Sequence, residues 1–202
     1  MMSRRFLLIG LAAVLLVGGQ APAQQPPTTR VRGTIESFDG KVLDVKARDG
    51  ANVKIKLADG ARVTAITRMK PEDIKQGSYI GVAGIPEADG SQRALSINIF
   101  PEAARGLGDG FRPYDLQPNS TMTNAAVSEM VQANDGKTLM VKYKDGEKKI
   151  IVTPQTQVST FGPGSRDDLK AGVKVIVNAT KLDDGSLESK GMQYGRDGLQ
   201  PM

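Results

Sequence analysis

The chain has 202 residues, a formal net charge of +5 and neither histidine nor cysteine. It therefore cannot form disulfides, Ser–His or Cys–His nucleophile pairs, or metal sites made of imidazole and thiolate ligands. Acidic and basic residues are interspersed, whereas a nucleic-acid-binding protein usually shows a clustered basic face, so we expect no nucleic-acid partner.

The N-terminal residues have the pattern of a secretory signal peptide. Arg4 and Arg5 precede the apolar stretch 6–17, and the small residues Ala21–Ala23 follow it. This stretch is shorter than the roughly 20 residues that a membrane-spanning helix needs, which favours cleavage after Ala23 over a membrane anchor. We therefore expect residues 1–23 to be a signal peptide. The mature protein is expected to be periplasmic or secreted, without a membrane span, and the general and twin-arginine export routes both stay open.

Strand patterns begin after a polar, proline-containing lead-in at residues 24–29. Val31, Gly33 and Ile35 alternate with polar residues, which is typical of a half-buried strand. Asp-Gly pairs at 39–40 and 49–50 then separate further alternating runs and predict hairpins. A single short helical turn is predicted near residue 71, and a last hairpin closes the region 30–100.

A second region repeats the first. The matching blocks are 39–50 with 135–146, 73–77 with 168–172, and 88–91 with 183–186. The shift is 96 for the first pair of blocks and 95 for the others, and such a fixed period indicates a duplicated structural unit. We therefore predict an all-β fold of two tandem, small, OB-like antiparallel β-barrels. The first comprises residues 30–100 and the second residues 123–197, followed by a tail at 198–202.

These blocks resemble a bacterial domain-of-unknown-function family of exported OB-like β-barrel domains. The motifs that carry the resemblance are turn motifs, found at 33–35, 39–45, 73–82 and 89–91, and again at 135–141, 168–177 and 184–186. At a shift of 96 the counterpart of Gly33 is Glu129, so that element is lost in the second copy. The run 100–115 is similar to the inter-repeat segment of a two-copy proteobacterial subfamily, whose members are sometimes labelled metal transporter permeases. A permease needs several spanning helices, so this label does not describe the chain.

Residues 101–122 separate the two copies and show no periodicity. A loop of this length is either a linker or functional. Because it carries Phe111, Tyr114 and Leu116, we expect an ordered segment rather than a free tether. We take its aromatic and charged residues as the candidate partner surface, namely Phe100, Glu102, Arg105, Phe111, Arg112, Tyr114 and Asp115. The alternative is that the aromatic residues only fill barrel ends and the seam between the copies.

Other chemistry has little support in the sequence. The acid pairs 167–168 and 183–184 lack the spacing of a calcium loop, and the methionines are scattered, so we assign no catalytic, cofactor or metal residue. We predict a non-enzymatic binding or accessory module of the cell envelope, whose partner is an unidentified protein, glycan or ion. A purely structural spacer is the alternative, and an enzyme that uses carboxylates or a Ser–Lys pair is a third, weaker possibility.

Overall fold

The computed structural model describes residues 27–133 and 136–202. The expected signal peptide, lead-in residues 24–26 and Asp135 of a predicted Asp-Gly turn lie outside the described residues. Within them the protein is all-β, with short 3₁₀ turns and no α-helix. The strands are β1 (Thr28–Phe38), β2 (Val42–Ala47), β3 (Asn52–Arg68), β4 (Tyr79–Pro86), β5 (Gln92–Ile99), β6 (Gly110–Pro113), β7 (Thr121–Ala133), β8 (Gly136–Tyr143), β9 (Gly146–Val152), β10 (Gln157–Pro163), β11 (Lys174–Lys181) and β12 (Leu187–Gly195).

The strand pairings close two five-stranded circuits. Circuit A runs β1-β2-β3-β12-β11 and returns to β1, and circuit B runs β7-β8-β9-β5-β4 and returns to β7. Each circuit is antiparallel except at one pairing, β3 with β12 in circuit A and β9 with β5 in circuit B. Strand β10 pairs with β3 and with β5 and so joins the circuits. Closure of this kind removes free sheet edges and gives the protein a small β-barrel.

The pairing corrects the expectation that each half of the chain closes on itself. Circuit A takes β1 to β3 from the first half and β11 and β12 from the second, while circuit B takes the complementary set. The cause is visible in β3, which has 17 residues. At about 3.3 Å per residue it extends well beyond the roughly 17–20 Å of an ordinary strand. The chain therefore crosses from circuit A to circuit B before β4 begins.

The register also corrects the alignment of the two copies at their first strands. Ile35 pairs with Val45 in the first copy, and Val127 pairs with Val141 in the second. The shift at β1 is therefore 92 (127 minus 35) rather than 96, because the second hairpin is four residues longer. The counterpart of Gly33 is Ala125 and not Glu129, so a small residue is kept at this position.

Each circuit encloses its own apolar core. The core of circuit A combines Ile35, Leu43 and Ile55 from the first half with Val175 and Tyr194 from the second. The core of circuit B is built in the complementary way, from residues of β4, β5, β7, β8 and β9. Neither core is complete without both halves. No helix in the described part of the chain is long and apolar enough to cross a membrane.

Candidate functional site

The inter-repeat segment leaves β5 and first lies against circuit B. A 3₁₀ turn at Glu102–Ala104 precedes Arg105, whose side chain lies near the start of β4. Arg105 donates hydrogen bonds to the Glu102 carboxylate at 2.8 Å and to the carbonyl of Gly77 at 2.9 Å. The exposed pair itself adds little stability. The bond to Gly77 is the contact that ties the start of the segment to the first half of the chain.

Asp109 connects the segment to both halves of circuit B. Its carboxylate accepts hydrogen bonds from the Tyr79 hydroxyl at 3.1 Å and from the backbone N–H of Lys144 at 2.6 Å. Burial, with a further contribution from this hydrogen bond, raises the pKa of Tyr79 to about 12. The phenol therefore stays protonated and acts as a hydrogen-bond donor across the whole physiological range.

The two phenylalanines of the candidate surface have different environments. Phe100 is half-buried, and its ring centroid lies 5.4 Å from that of Tyr79 and 5.1 Å from that of Phe161. Phe111 is 43% exposed and lies beneath Lys148, whose Nζ is 4.5 Å from the ring centroid. Phe100 therefore packs at the seam between the copies, and Phe111 is accessible from solvent. The neighbouring Arg112 donates to the carbonyl of Gly108 at 2.8 Å.

The end of the segment crosses to circuit A and meets a cluster of arginines. Asp115 Oδ1 accepts hydrogen bonds from Arg30 Nη1 at 2.9 Å and from Arg32 Nη2 at 2.7 Å. Both guanidinium groups lie over the ring of Tyr114, at 5.5 and 5.1 Å from its centroid, in cation–π geometry. Arg48 donates to the carbonyl of Leu116 at 2.8 Å. Three arginines of the first half thus hold three consecutive residues of the segment.

Arg32 is the most unusual side chain of this cluster. Its side chain is only 5% exposed, and its Nη1 is buried without a hydrogen-bond partner among the described residues. Burial favours the neutral form of Arg32, but the hydrogen bond and the charge of Asp115, together with Tyr114, outweigh burial and raise its pKa. Burial also opposes ionisation of Asp115, and the hydrogen bonds and charges of Arg32 and Arg30 outweigh it and lower the pKa of Asp115. The pair is therefore ionised.

An open cleft of about 700 Å³ lies beside this cluster. Its walls are the β2–β3 turn on one side and the inter-repeat segment on the other. They are formed by Arg32, Ala47, Arg48, Asp49, Tyr114, Asp115, Leu116, Gln117, Pro118 and Asn119. Counting Arg30 beside it, the site carries three guanidinium groups and two carboxylates, which leaves one positive charge in excess. We call this region the arginine cleft.

A small apolar cluster supports the cleft from below. Tyr114 and Leu116 pack against Ala83, Met122 and Met202, of which the last three are buried. Gln157 donates to the carbonyl of Gln200 at 2.8 Å, which holds the last residues of the chain in place. The expected tail is thus a packed element that supports the inter-repeat segment.

Sequence reasoning identified Tyr114 and Asp115 but missed their partners. The alternation of β1 predicts that Arg32 lies on the polar face of a half-buried strand. In the structure this face of β1 points away from the core of circuit A. The inter-repeat segment covers it, and a contact across 83 residues of chain has no local sequence signal. Arg30 and Arg48 were missed for the same reason. Arg105, Phe111 and Arg112 lie on circuit B, so the structure divides the predicted surface in two.

The acid pairs have structural roles in turns. The backbone N–H of Asp167 donates to the Ser165 side chain at the start of a 3₁₀ turn, and Asp168 accepts a hydrogen bond from the Tyr194 hydroxyl. Asp184 accepts from the backbone N–H of Ser186 at 2.9 Å. Across the described residues no group of three or more acidic side chains is arranged to hold a metal ion.

Part of the chain matches a known protein family. Residues 130–188 are similar to a family described as a domain of unknown function (DUF5666). The match begins in β7 and ends in β12, so it spans strands of both circuits, and it covers less than half of the chain. It agrees with the resemblance to a family of unknown function noted from the sequence motifs. No curated protein and no solved structure matches the chain.

Proposed function

We propose that the protein is an exported, non-enzymatic binding module of the cell envelope, built from two OB-like barrels, that holds a carboxylate-bearing partner in the arginine cleft. The proposal that both circuits are OB-like barrels rests on strand order. Each circuit joins three consecutive antiparallel strands to a hairpin from the other half and has one parallel pairing at the closure. A five-stranded, partly open barrel of this kind uses its loops and one face for ligands.

The observation that carries the proposal is the buried guanidinium of Arg32. A buried N–H without a partner costs about 1–3 kcal/mol, so native proteins rarely leave one without a bound water or ligand. Arg32 lines the cleft, and its only anionic partner among the described residues, Asp115, is shared with Arg30. Guanidinium groups bind carboxylates in a bidentate manner, and a ligand carboxylate would supply the missing acceptor once the covering segment shifts enough to expose Nη1.

Arg48 provides the accessible part of the site. It is exposed, it lines the cleft, and within the described residues its guanidinium group makes one hydrogen bond, to the carbonyl of Leu116. The remaining donors of its planar fork can meet an anion that enters from solvent. Arg48 would therefore make first contact with a ligand, and Arg32 would hold the ligand at the base of the cleft.

The charge states of the carboxyl groups support binding rather than catalysis. A general acid at neutral pH needs a carboxyl group with a raised pKa. Each described carboxyl group with a resolved shift has a lowered pKa, and in the cleft the arginines stabilise the charged form of Asp115. Export and the envelope location are proposed from the signal-peptide pattern of residues 1–23.

The test is a titration of the mature protein with two carboxylate probes, a short oligoglutamate peptide and an oligogalacturonate. We expect one of them to bind, and Arg48→Gln to weaken it about tenfold, the effect of losing one charged hydrogen bond. Arg68→Gln, at an exposed arginine of β3 outside the cleft, is the matched control and should bind as the unmodified protein does.

Two outcomes would contradict the proposal. One is that neither probe binds at physiological ionic strength, which would leave the purely structural role. The other is that Arg48→Gln and Arg68→Gln weaken binding equally, which would show general charge attraction instead of a site.

A further inference from the structure

The two halves of the chain are related like the subunits of a twofold-symmetric dimer. Ile66 of β3 pairs with Phe161 of β10, and these two residues are counterparts at the repeat shift of 95 (161 minus 66). On either side of them, Arg68 pairs with Ser159 and Thr64 pairs with Pro163. At the shift of 95 the counterpart of Arg68 is Pro163 and the counterpart of Thr64 is Ser159. Each of these two pairs is therefore the symmetry-related copy of the other. In the same way, the parallel pair Met192–Val63 is the symmetry-related copy of the parallel pair Ile97–Val158. A pseudo-twofold axis therefore passes between β3 and β10.

Each circuit is closed only by contacts between the halves. In circuit A the first half meets the second at β1–β11 and at β3–β12. In circuit B the two halves meet at β4–β7 and at β5–β9. Since every closing pairing is of this kind, the geometry of a circuit does not depend on whether its two halves belong to one polypeptide or to two.

The connection between the halves contains a hinge. Gly106, Gly108 and Gly110 have positive φ values of 82°, 61° and 122°, and Leu107 between them is 64% exposed. On the N-terminal side of this run, Arg105 is bonded to Gly77 of its own half. On the C-terminal side, β6 pairs with β7 of its own half. The run 106–109 can therefore change direction while Arg105 and β6 keep these local contacts. Asp109, which is bonded to Tyr79 of the first half and to Lys144 of the second, then has one of these two partners on the other copy.

We propose that two copies of this chain exchange halves, with residues 106–109 as the hinge. The first half of one copy then closes both circuits with the second half of the other copy. The contacts of the arginine cleft are retained, because Arg30 and Arg32 meet Asp115 of the other copy in the same geometry. The monomer prevails in dilute solution because a short connection gives the two halves an effective concentration in the millimolar range. A shorter connection removes that advantage, as in other hinge-loop variants that exchange domains.

The experiment uses the absence of cysteine from the chain. Thr28 and Thr180 are register partners across the closure of circuit A and belong to different halves. One preparation of the mature protein carries Thr28→Cys and another carries Thr180→Cys. They are mixed, unfolded, refolded together at about millimolar concentration, where exchange competes with the monomer, and treated with a short bis-maleimide. Exchange predicts a covalent dimer on a denaturing gel, with position 28 of one chain joined to position 180 of the other.

The matched control is the pair Asp44→Cys and Lys54→Cys, register partners across β2–β3 within the first half. Exchange of halves leaves these two positions on one chain, so the mixture of the two single variants should give no covalent dimer above the background of random collisions. Equal yields of covalent dimer from the two mixtures, or no dimer from either, would overturn the proposal.

A second measurement tests the hinge. Deletion of residues 107–109 in the Thr28→Cys/Thr180→Cys double variant should shift the protein from monomer to dimer in light scattering at micromolar concentration. The bis-maleimide should then join two chains instead of closing one. A folded deletion variant that stays monomeric, with its cross-link within one chain, would overturn the assignment of the hinge.

Discussion

At the scale of single residues, the carboxylate of Asp115 stabilises the charged arginines of the arginine cleft. Asp115 neutralises Arg32, whose side chain is 5% exposed, and it also pairs with the exposed Arg30. We predict that Asp115→Ala lowers the free energy of unfolding by about 1.5–3 kcal/mol, because a buried guanidinium then loses a charged hydrogen bond. Urea denaturation of the mature protein measures this change.

The control for this prediction is Asp44→Ala. Asp44 forms an exposed ion pair with Lys54 at 3.8 Å, and exposed pairs of this kind contribute about 0–1 kcal/mol. If Asp115→Ala costs no more than Asp44→Ala, Asp115 does not stabilise the buried arginine.

A second residue-scale prediction concerns the pKa of Tyr79. Its value in the folded protein, about 12, lies above the value of about 10 for an exposed phenol. The stability that comes from this difference is therefore complete below pH 10 and is lost as the pH rises towards 12. Burial also raises the pKa of Tyr194. Titration of tyrosinate absorbance should show a step near 12, and Tyr79→Phe should remove the contribution of Tyr79 to it.

Asp109→Asn separates the two causes of this shift. Burial is the larger cause, and the hydrogen bond to Asp109 is the second. The substitution should therefore lower the pKa of Tyr79 without returning it to about 10. A Tyr79 that already titrates with an ordinary pKa in the unmodified protein would contradict the contact between the segment and circuit B.

At the scale of elements, β1 and β2 approach each other closely at Gly33. A Cβ atom on Gly33 would lie 2.3 Å from the carbonyl oxygen of Lys46. We predict that Gly33→Ala destabilises the protein by about 1–3 kcal/mol, because the hairpin must shift to make room. Thermal and urea denaturation measure the change.

Gly60 is the matched control because it also lies in a strand, β3, and a Cβ there would meet no atom within 4 Å. Gly60→Ala should be neutral or slightly stabilising, since alanine restricts the unfolded chain. Equal effects of the two substitutions would show that backbone entropy, and not the close approach, explains the glycine at position 33.

The strands themselves could largely be predicted from the sequence, but their partners could not. Alternation and Asp-Gly turns fix where a strand such as Val42–Ala47 begins and ends, because these signals lie within a few residues of it. The same alternation is satisfied whether β3 closes against β5 of its own copy or against β12 of the other. The same limit applies to the candidate site. Tyr114 and Asp115 could be named from the sequence because they are an aromatic and a charged residue in a segment without periodicity. Arg32 could not, because its place in the site comes from a contact with a residue far away in the sequence.

At the scale of the whole molecule, each circuit contains strands from both halves of the chain. We therefore expect the two circuits to unfold as one cooperative unit. We predict that cutting the chain in the inter-repeat segment does not separate its halves. A specific protease site inserted after Gly106, and cleaved in the folded protein, should leave one species in native size-exclusion chromatography. Both halves should appear on a denaturing gel.

The same nicked protein should unfold in one transition, because each core contains residues of both halves. Two fragments that elute separately under native conditions, each with strand structure by circular dichroism, would show instead that each half closes on itself.

The pseudo-twofold relation has a consequence for stoichiometry. At the shift of 92 that relates β1 to β7, the counterparts of Arg30 and Arg32 are Met122 and Asn124 (30 and 32, each plus 92). Asn124 is buried like Arg32, and its Oδ1 also has no hydrogen-bond partner within residues 27–133 and 136–202. The same inter-repeat segment covers it, because the Asn124 side chain donates a hydrogen bond to the carbonyl of Leu107. A homodimer of two identical single copies would carry two identical pockets, each covered by its own copy of the segment. Within the described part of this chain the cationic position exists once and its counterpart is neutral, so the proposed binding of a carboxylate predicts one ligand for each chain rather than two.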